Sequence, residues 1–158
     1  MAIIHSSDLG WKAGQNISDE FAALAKTFKP GDTFVFDDMY KISGSNISLP
    51  DNFTLAGGAP GAGIDIIDTA TNKSSLFLLG DGNTVVDLTV THSKAPDTGY
   101  EGLKAKAGVD YHQTQGKFAV EGDDVSILNS SFEGNTAIFI DAREADNLLI
   151  EDTKFDGG

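Results

Sequence analysis

A repeated segment constrains the fold of this chain more than any other feature of its sequence. Residues 122–134, which read GDDVSILNSSFEG, align without a gap with residues 145–157, which read ADNLLIEDTKFDG. The two copies are offset by 23 residues along the chain. Self-similarity at such a period indicates that the chain stacks equivalent units one upon another.

Each unit contains short apolar strands separated by turn-forming residues. An earlier copy at residues 82–90 aligns Asp87 with Asn129 and Asp152. One unit reads as a strand, an Asp/Asn turn, a second strand, an Asn/Asp bend and a short third strand that ends in Val or Phe. Three short strands in a period of this length are typical of one rung of a parallel β-helix, whereas a β-sandwich needs no such period. We therefore predict an all-β chain that forms a single-stranded parallel β-helix, a solenoid of about four to five rungs.

Stacked rungs place equivalent residues above one another, about 4.8 Å apart. Two inward apolar columns are predicted, namely Val86/Ile127/Ile150 and Val90/Phe132/Phe155. The polar column of Asp87, Asn129 and Asp152 falls at a bend, where short side chains bond the local backbone and tolerate αL geometry. We interpret that column as structural rather than as a metal site.

One segment, residues 18–28, has the pattern of a helix. Its apolar side chains recur at i, i+3, i+4 and i+7, as Phe21, Leu24, Ala25 and Phe28. Ser18 is the expected N-cap, and a Pro-Gly pair follows the segment. A helix of about three turns is too short to be stable alone, so its apolar stripe is expected to cover other apolar residues.

Three motifs near the start of the chain carry a resemblance to a known superfamily. They read KPGDTFVF at residues 29–36, YKIS at residues 40–43 and LPDNFTLAG at residues 49–57. Together they resemble the opening of the pectate-lyase-like right-handed β-helix superfamily, over roughly residues 18–158. The resemblance implies a right-handed coil whose N-terminal end is capped by the helix at residues 18–28. Its chemistry stays open, because lyases, hydrolases, epimerases, tailspikes and adhesins share this fold.

Residues 94–115 do not fit the repeat. They form either an irregular rung or a loop extruded from the wall, and extruded loops border the binding groove in the superfamily that the chain resembles. We expect a single β-helix domain over residues 1–158, which is either the whole protein or the N-terminal part of a longer one.

The segment GVDYHQ at residues 108–113 lies in this insert. It is similar to the Gly-Phe-Asp-Pro-His-Glu motif of the mannuronan (alginate) C5-epimerases, which are right-handed β-helix enzymes. The resemblance implies that Asp110 and His112 are catalytic. Alternate residues of a strand point to one face. A His can exchange a proton near neutral pH, while a protonated Asp or a cation stabilises the enediolate formed when a uronate loses its C5 proton.

Other residues of the insert complete the candidate site. Tyr100 and Lys104 are the expected sources of an acid and a cation, and we group them with the catalytic residues. Tyr111 and Gln113, which stand where the motif has Pro and Glu, and Lys106 are assigned to substrate binding. The alternative interpretation is that the Asp and His are ordinary surface residues of a polar strand.

The charge balance limits the partners. The chain has 24 acidic residues against 11 Lys and Arg, a formal net charge of −13. Such a field repels nucleic acids, so we expect no nucleic-acid partner. No firm cofactor is predicted. Ca²⁺ is an alternative at three acidic groups, namely Asp37-Asp38, Asp65 with Asp68, and Glu121 with Asp123-Asp124, where solvated turn acids are the plainer interpretation.

Targeting signals are absent from the sequence as given. It has no cysteine, no apolar run long enough to cross a bilayer and no evident signal peptide, so we expect no membrane partner. The acidic, turn-rich composition and the resemblance to carbohydrate-active proteins lead us to expect an extracellular protein.

Two functions follow as expectations. The first is a carbohydrate-active module that acts on or binds an acidic polysaccharide, as a uronate C5-epimerase or lyase. The second is a non-catalytic structural or adhesive module that forms a homodimer through its C-terminal rung, whose strand edges and apolar residues lack a cover.

Overall fold

The computed structural model describes residues 1–67, 75–92, 117–134 and 139–156. Within these ranges the chain is mostly β, with a short 3₁₀ helix at Ser6–Leu9 and one α-helix, α1, at Ser18–Ala25. The strands, in chain order, are β1 Ile3–His5, β2 Thr33–Phe36, β3 Met39–Ile42, β4 Ile47–Ser48, β5 Thr54–Gly57, β6 Gly63–Ile66, β7 Phe77–Leu79, β8 Thr84–Val86, β9 Thr89–His92, β10 Phe118–Val120, β11 Ser126–Leu128, β12 Ser131–Gly134, β13 Ile140–Asp141, β14 Leu149–Glu151 and β15 Lys154–Asp156. No helix in the described part of the chain has the length and apolar character that crossing a membrane requires.

The strands form three sheets, and every pairing between described strands is parallel. Sheet A has the order β1-β2-β5-β8-β11-β14, sheet B the order β3-β6-β9-β12-β15, and sheet C the order β4-β7-β10-β13. From β2 onward the chain visits sheets A, B and C in turn, and then begins again. We call one passage through the three sheets a cycle.

The register of the sheets confirms the repeat read from the sequence. Ser126 pairs with Leu149 and Ser131 with Lys154, each pair 23 residues apart. Strands β10 and β13 are neighbouring parallel strands, with Phe118 opposite Ile140. Equivalent residues of successive cycles therefore lie side by side across each sheet.

The interior is built from apolar columns that run across the sheets. The predicted column Val90/Phe132/Phe155 is confirmed. The predicted column Val86/Ile127/Ile150 is wrong in its first member, because Val85 pairs with Ile127 and is fully buried. Val86 pairs with Leu128 on the outer face, since successive side chains of a strand alternate between its two faces.

Corner residues in the αL conformation join the sheets. Asp87, Asn129 and Asp152, between sheets A and B, have φ of 56°, 46° and 50°. The predicted αL column is thus confirmed, but its contact differs from the expected local backbone bond: the Asn129 amide donates to the Asp87 carboxylate of the preceding cycle, at 2.7 Å. A second αL column lies between sheets C and A, at Asn52, Gly82, Asp124 and Asn147. Asn, Asp and Gly tolerate this conformation better than other residues do.

The helix is shorter than the sequence pattern indicates and begins differently. It ends at Ala25 rather than Phe28, and Ser18 is its first residue rather than its N-cap. The backbone N–H and the hydroxyl of Ser18 both donate to the side-chain oxygen of Asn16. Asn16, two residues before the helix, therefore accepts the hydrogen bond of an N–H group at the helix start.

The apolar stripe of α1 packs against the aromatic interior as expected. The ring of Phe21 lies 5.2 Å from that of Phe34, 5.7 Å from that of Phe36 and 5.6 Å from that of Phe77, measured between centroids. Phe21 is fully buried. The helix therefore lies over interior side chains at the edge of the sheets formed by β1, β3 and β4.

Candidate functional site

The candidate site residues from the sequence all fall in one connection. Residues Tyr100, Lys104, Lys106, Asp110, Tyr111, His112 and Gln113 lie outside the described residues, so their arrangement stays a prediction. The described chain enters this connection from β9 of sheet B, which ends at His92. It resumes at Lys117, just before β10 of sheet C. The candidate residues are thus joined to the molecule at the border between sheets B and C.

The two residues at the base of this connection are both buried. His92 is 1% exposed and Lys117 is 0% exposed. The Lys117 carbonyl accepts hydrogen bonds from the N–H groups of Leu76 and Phe77, at 2.8 and 3.1 Å. The backbone of His92 is in register with Gly134, where a Cβ atom would lie only 2.4 Å from the His92 carbonyl oxygen. Both ends of the connection are therefore held tightly by neighbouring strands.

Sequence reasoning missed this pair of buried residues. His92 follows Val90 at the period of two that marks inward positions, so its burial could have been read from the strand pattern. Lys117 immediately precedes the inward Phe118, and the alternation of a strand gives no sign that it is buried.

A shallow, mainly polar depression of about 270 Å³ lies on sheet C at the other end of its strands, where β10 and β13 lead into the corner between sheets C and A. Its lining includes Glu121, Asp141, Arg143 and Glu144. The guanidinium of Arg143 donates to both oxygens of Asp141, from Nε at 2.9 Å and from Nη2 at 2.6 Å, and these bonds raise the pKa of Arg143. An anionic ligand here would have to compete with Asp141 for the guanidinium.

A larger groove, of about 470 Å³, follows the corner between sheets A and B. The chain at 57–61 forms one wall, and Asp87, Asn129 and Asp152 contribute to the other. Thr89, Ser130 and Ser131 also line the groove, together with apolar atoms of Ala59, Pro60 and Leu88. The αL geometry and the Asn129–Asp87 hydrogen bond support the interpretation of this column as structural.

A third polar cluster lies where the chain start meets the corner after β2. His5 Nδ1 lies 3.0 Å from Asp37 Oδ1, and the N–H and the hydroxyl of Ser7 donate to Asp37 Oδ2 at 3.0 and 2.8 Å. Burial would raise the pKa of Asp37, but the hydrogen bonds from Ser7 and His5 outweigh that effect and lower the pKa to about 2. Asp37 is therefore ionised at neutral pH.

This cluster has the residue types of a hydrolase site without its geometry. A nucleophilic serine would have to donate to the histidine, whereas Ser7 donates to the carboxylate. Ser6 is engaged as well, because its Oγ accepts from the Asp37 N–H and bonds the Tyr40 hydroxyl, each at 2.8 Å. The cluster ties β1 and the 3₁₀ helix to the body of the molecule.

The acidic groups considered for Ca²⁺ have other contacts. The Asp123 carboxylate accepts the Asp146 N–H at 3.2 Å, and the Asp124 carboxylate accepts the Asn147 amide at 3.1 Å. Asp68 lies outside the described residues. Over the ranges that the structure covers, no three His, Asp or Glu side chains come close enough to hold a metal ion.

Comparison of the chain with models of protein families, with curated proteins and with solved structures found no match in any of the three. Among the described residues, the chain is mostly β, with three parallel sheets and one α-helix.

Proposed function

We propose that the chain is a right-handed parallel β-helix module that binds or acts on an acidic polysaccharide through the connection between β9 and β10. Two observations support the β-helix: the chain visits three parallel sheets in a fixed order, and the strands stay in register from one cycle to the next. Right-handedness is favoured because crossover connections between parallel strands almost always have that hand.

The observation that carries the functional part is the length of the connection between β9 and β10. It runs from His92 to Phe118, whereas the next connection between the same two sheets runs only from Gly134 to Ile140. Both bring the chain to neighbouring positions in sheet C, where Phe118 pairs with Ile140. The extra residues are not needed to close the cycle, and long connections held on a rigid base commonly carry function.

Charge supports the same location. The chain has a formal net charge of −13, which repels an anionic polymer from most of its surface. Residues 93–116 are different, because they contain three lysines and three acidic residues. An acidic polysaccharide would therefore meet less repulsion at this connection than over the surface as a whole.

The proposed chemistry begins with removal of the C5 proton of a uronate by His112, while Asp110 or a lysine stabilises the charge on the carboxylate. The electron pair left at C5 is delocalised as an enediolate. Protonation on the opposite face by Tyr100 gives the epimer. Alternatively, the electron pair at C5 forms a C4–C5 double bond as the C4–O bond breaks; Tyr100 then protonates the leaving oxygen, which becomes a hydroxyl group of the released half of the polysaccharide. Tyr111, Gln113 and Lys106 hold the substrate.

The experiment incubates the 158-residue chain with mannuronan, alginate and pectate, with Ca²⁺ or with a chelator. Proton NMR detects epimerisation, ultraviolet absorbance detects the unsaturated product, and affinity electrophoresis in gels that contain each polymer detects binding. We expect activity that is lost in His112→Ala and Asp110→Asn, and retained in His5→Ala as the matched control. Activity that survives His112→Ala would contradict the catalytic assignment. The proposed function would be overturned if the chain is inactive on every polymer and is retarded by none of them.

A module with this function works outside the cell, and we propose that location. The acidic, turn-rich composition and the nature of the substrate support it. Detection of the protein only in cytosolic fractions of its source would contradict it.

One observation favours the structural alternative. Three large apolar side chains, Leu149, Ile150 and Phe155, are more than 40% exposed in the last two described strands. A surface of this kind suits a module that associates with other copies.

A further inference from the structure

We propose that the groove at the corner between sheets A and B binds an extended, neutral polysaccharide, with one sugar residue beside each cycle. The inference is independent of the connection between β9 and β10 and of the acidic polysaccharide proposed for it. It rests on the fixed wall of the groove, on the hydrogen-bond acceptors of the corner and on the charge of the lining.

The groove forms because one corner between these sheets is longer than the others. Strands β8 and β9 are joined by Asp87 and Leu88, and β11 and β12 by Asn129 and Ser130, whereas residues 58–62 join β5 to β6. The longer turn forms one wall, and the two-residue corners of the later cycles contribute to the other. The residues that the structure does not describe within the chain come between strands of sheets B and C, which meet at another corner.

Two glycines fix the longer turn against the neighbouring cycle. A Cβ atom at Gly57 would clash with the carbonyl oxygen of Asp87, and one at Gly63 would clash with that of Thr89. Only glycine permits so close an approach of two backbones. The carbonyl of Ala62 also accepts the Thr89 N–H, at 3.0 Å. The turn is therefore held at both ends, and the groove is formed before a ligand arrives, as most ligand-binding clefts are.

The corner residues present hydrogen-bond acceptors at regular intervals. The Asn129 amide donates to one carboxylate oxygen of Asp87, so the second carboxylate oxygen and the Asn129 amide oxygen remain as acceptors. Thr89 and Ser131 pair across β9 and β12 and add partly exposed hydroxyl groups to the same lining. Asp152 occupies the equivalent corner of the next cycle. Equivalent groups of neighbouring cycles recur about every 4.8 Å.

This interval is close to the length that one sugar residue adds to an extended 1→4-linked polysaccharide. A chain of that kind, laid along the corner, meets the same kinds of acceptor at each sugar, and its hydroxyl groups donate to them. Apolar atoms of Ala59, Pro60 and Leu88 suit the C–H groups on the faces of the sugar rings. The volume of about 470 Å³ lies within the range of ligand-binding clefts.

The charge of the lining selects a neutral polymer. Among the described residues that line the groove are the carboxylates of Asp87 and Asp152, and no Lys or Arg. An anionic polymer is repelled here, whereas uncharged hydroxyl groups make strong hydrogen bonds with carboxylates. A polymer with one cation on each sugar has no matching charge at the middle corner, where the neutral Asn129 lies.

The experiment measures retardation of the 158-residue chain by affinity electrophoresis in gels that contain galactomannan, glucomannan or mixed-linkage β-glucan. Gels with mannuronan and with glycol chitosan provide the acidic and the cationic comparison. A series of polymer concentrations gives the dissociation constant. We expect binding to at least one of the three neutral polymers, with little dependence on NaCl because the ligand is uncharged.

Two matched pairs of variants locate the binding. Asp87→Gly removes an acceptor and keeps the αL corner, and we expect binding to weaken about tenfold. Asp124→Gly is its control, because Asp124 has a φ of 58° and accepts the Asn147 amide in the same way at the corner between sheets C and A. Thr89→Tyr fills the groove and is expected to abolish binding, whereas Thr91→Tyr, on the same face of β9 but outside the groove, is expected to leave it unchanged.

Circular dichroism checks that each variant is folded. Lack of retardation by all three neutral polymers would overturn the proposal. Retardation by glycol chitosan alone would overturn the assignment of a neutral ligand. Binding that weakens equally in Asp87→Gly and Asp124→Gly, or that survives Thr89→Tyr, would overturn the assignment to this groove.

Discussion

The two edges of the three sheets are finished in different ways. At the edge with β1, β3 and β4, helix α1 lies over the interior and Phe21 is fully buried. At the edge with β13, β14 and β15, no described element covers the interior, and Phe155 is 46% exposed. The strands on either side are alike in length and direction. The difference teaches that an interior side chain is buried only where a further strand or a helix lies over it, as α1 lies over Phe21.

The covered edge is tied down by polar contacts with the first seventeen residues of the sequence. Gln15 and Ile17 bond the backbone of Lys41 in β3, and His5 and Ser7 bond the carboxylate of Asp37, which directly follows β2. At the open edge the short ion pair between Arg143 and Asp141, and the long one between Lys154 and Asp156 at 3.7 Å, stay within single segments. The first edge is therefore fastened to the body of the molecule.

The largest expected effect compares one substitution at the two edges. Phe21→Ala removes a buried ring that packs on four other rings, and we expect it to lower the free energy of unfolding by about 3–5 kcal/mol. Phe155→Ala removes a half-exposed ring, and we expect a loss of about 1 kcal/mol under conditions where the chain is monomeric. Urea denaturation followed by fluorescence and circular dichroism measures both. Equal losses would show that the two edges do not differ in the way described.

A smaller effect concerns the polar tie at the covered edge. The pKa of Asp37 is lowered from 3.8 to about 2, so its contribution to stability is complete above pH 4 and is lost as the pH falls toward 2. Asp37→Asn is expected to cost about 1–2 kcal/mol at pH 7 and to flatten the pH dependence between 4 and 2.

Thermal melts at a series of pH values test this tie, with hydrogen exchange of residues 3–9 to locate the change. Asp8→Asn is the control, because Asp8 is exposed in the same segment. A pH dependence that is unchanged by Asp37→Asn would contradict the role assigned to this carboxylate.

The smallest expected effect tests the structural alternative, in which copies of the chain associate, and comes from salt. Each copy carries a formal net charge of −13, so two copies repel each other at low ionic strength. Raising NaCl from about 0.01 M to about 0.1 M shortens the screening length from about 30 Å to about 10 Å, and we expect the dissociation constant to fall several-fold. Light scattering or sedimentation at the two salt concentrations measures it, and weaker association at higher salt would be the contrary result.

The repeat was the part of the fold that the sequence predicted best. The alignment of Asp87, Asn129 and Asp152 gave the αL column and the register of β8, β11 and β14. The error at Val86 arose because two valines stand side by side in a three-residue strand. Hydrophobicity alone does not distinguish which of the two faces the interior. The position of the corner at Asp87 fixes the alternation of the strand, and this alternation turns Val85 inward.

The beginning of the chain was harder to predict because it does not repeat. Strand β1 is three residues long, too short for a periodic signal, and it is held by pairing with β2 and by a carboxylate more than thirty residues away. The candidate site depends on a resemblance within one connection, where no strand register constrains the side chains. His92 was within reach of the strand pattern, whereas the burial of Lys117 depends on tertiary packing that no local pattern encodes.

The aspartates at the corner between sheets C and A show how little the stack depends on the length of its connections. The N–H of Asp81 donates to the Asp51 carboxylate 30 residues earlier, that of Asp123 to Asp81 at a distance of 42 residues, and that of Asp146 to Asp123 at 23 residues. The same contact is thus made by cycles that differ almost twofold in length. Because the entropy of loop closure grows only slowly with loop length, a connection can be extended or exchanged at small cost in stability. The architecture is therefore modular: peptides inserted between β9 and β10 could vary freely in length and sequence while the scaffold that presents them stays unchanged.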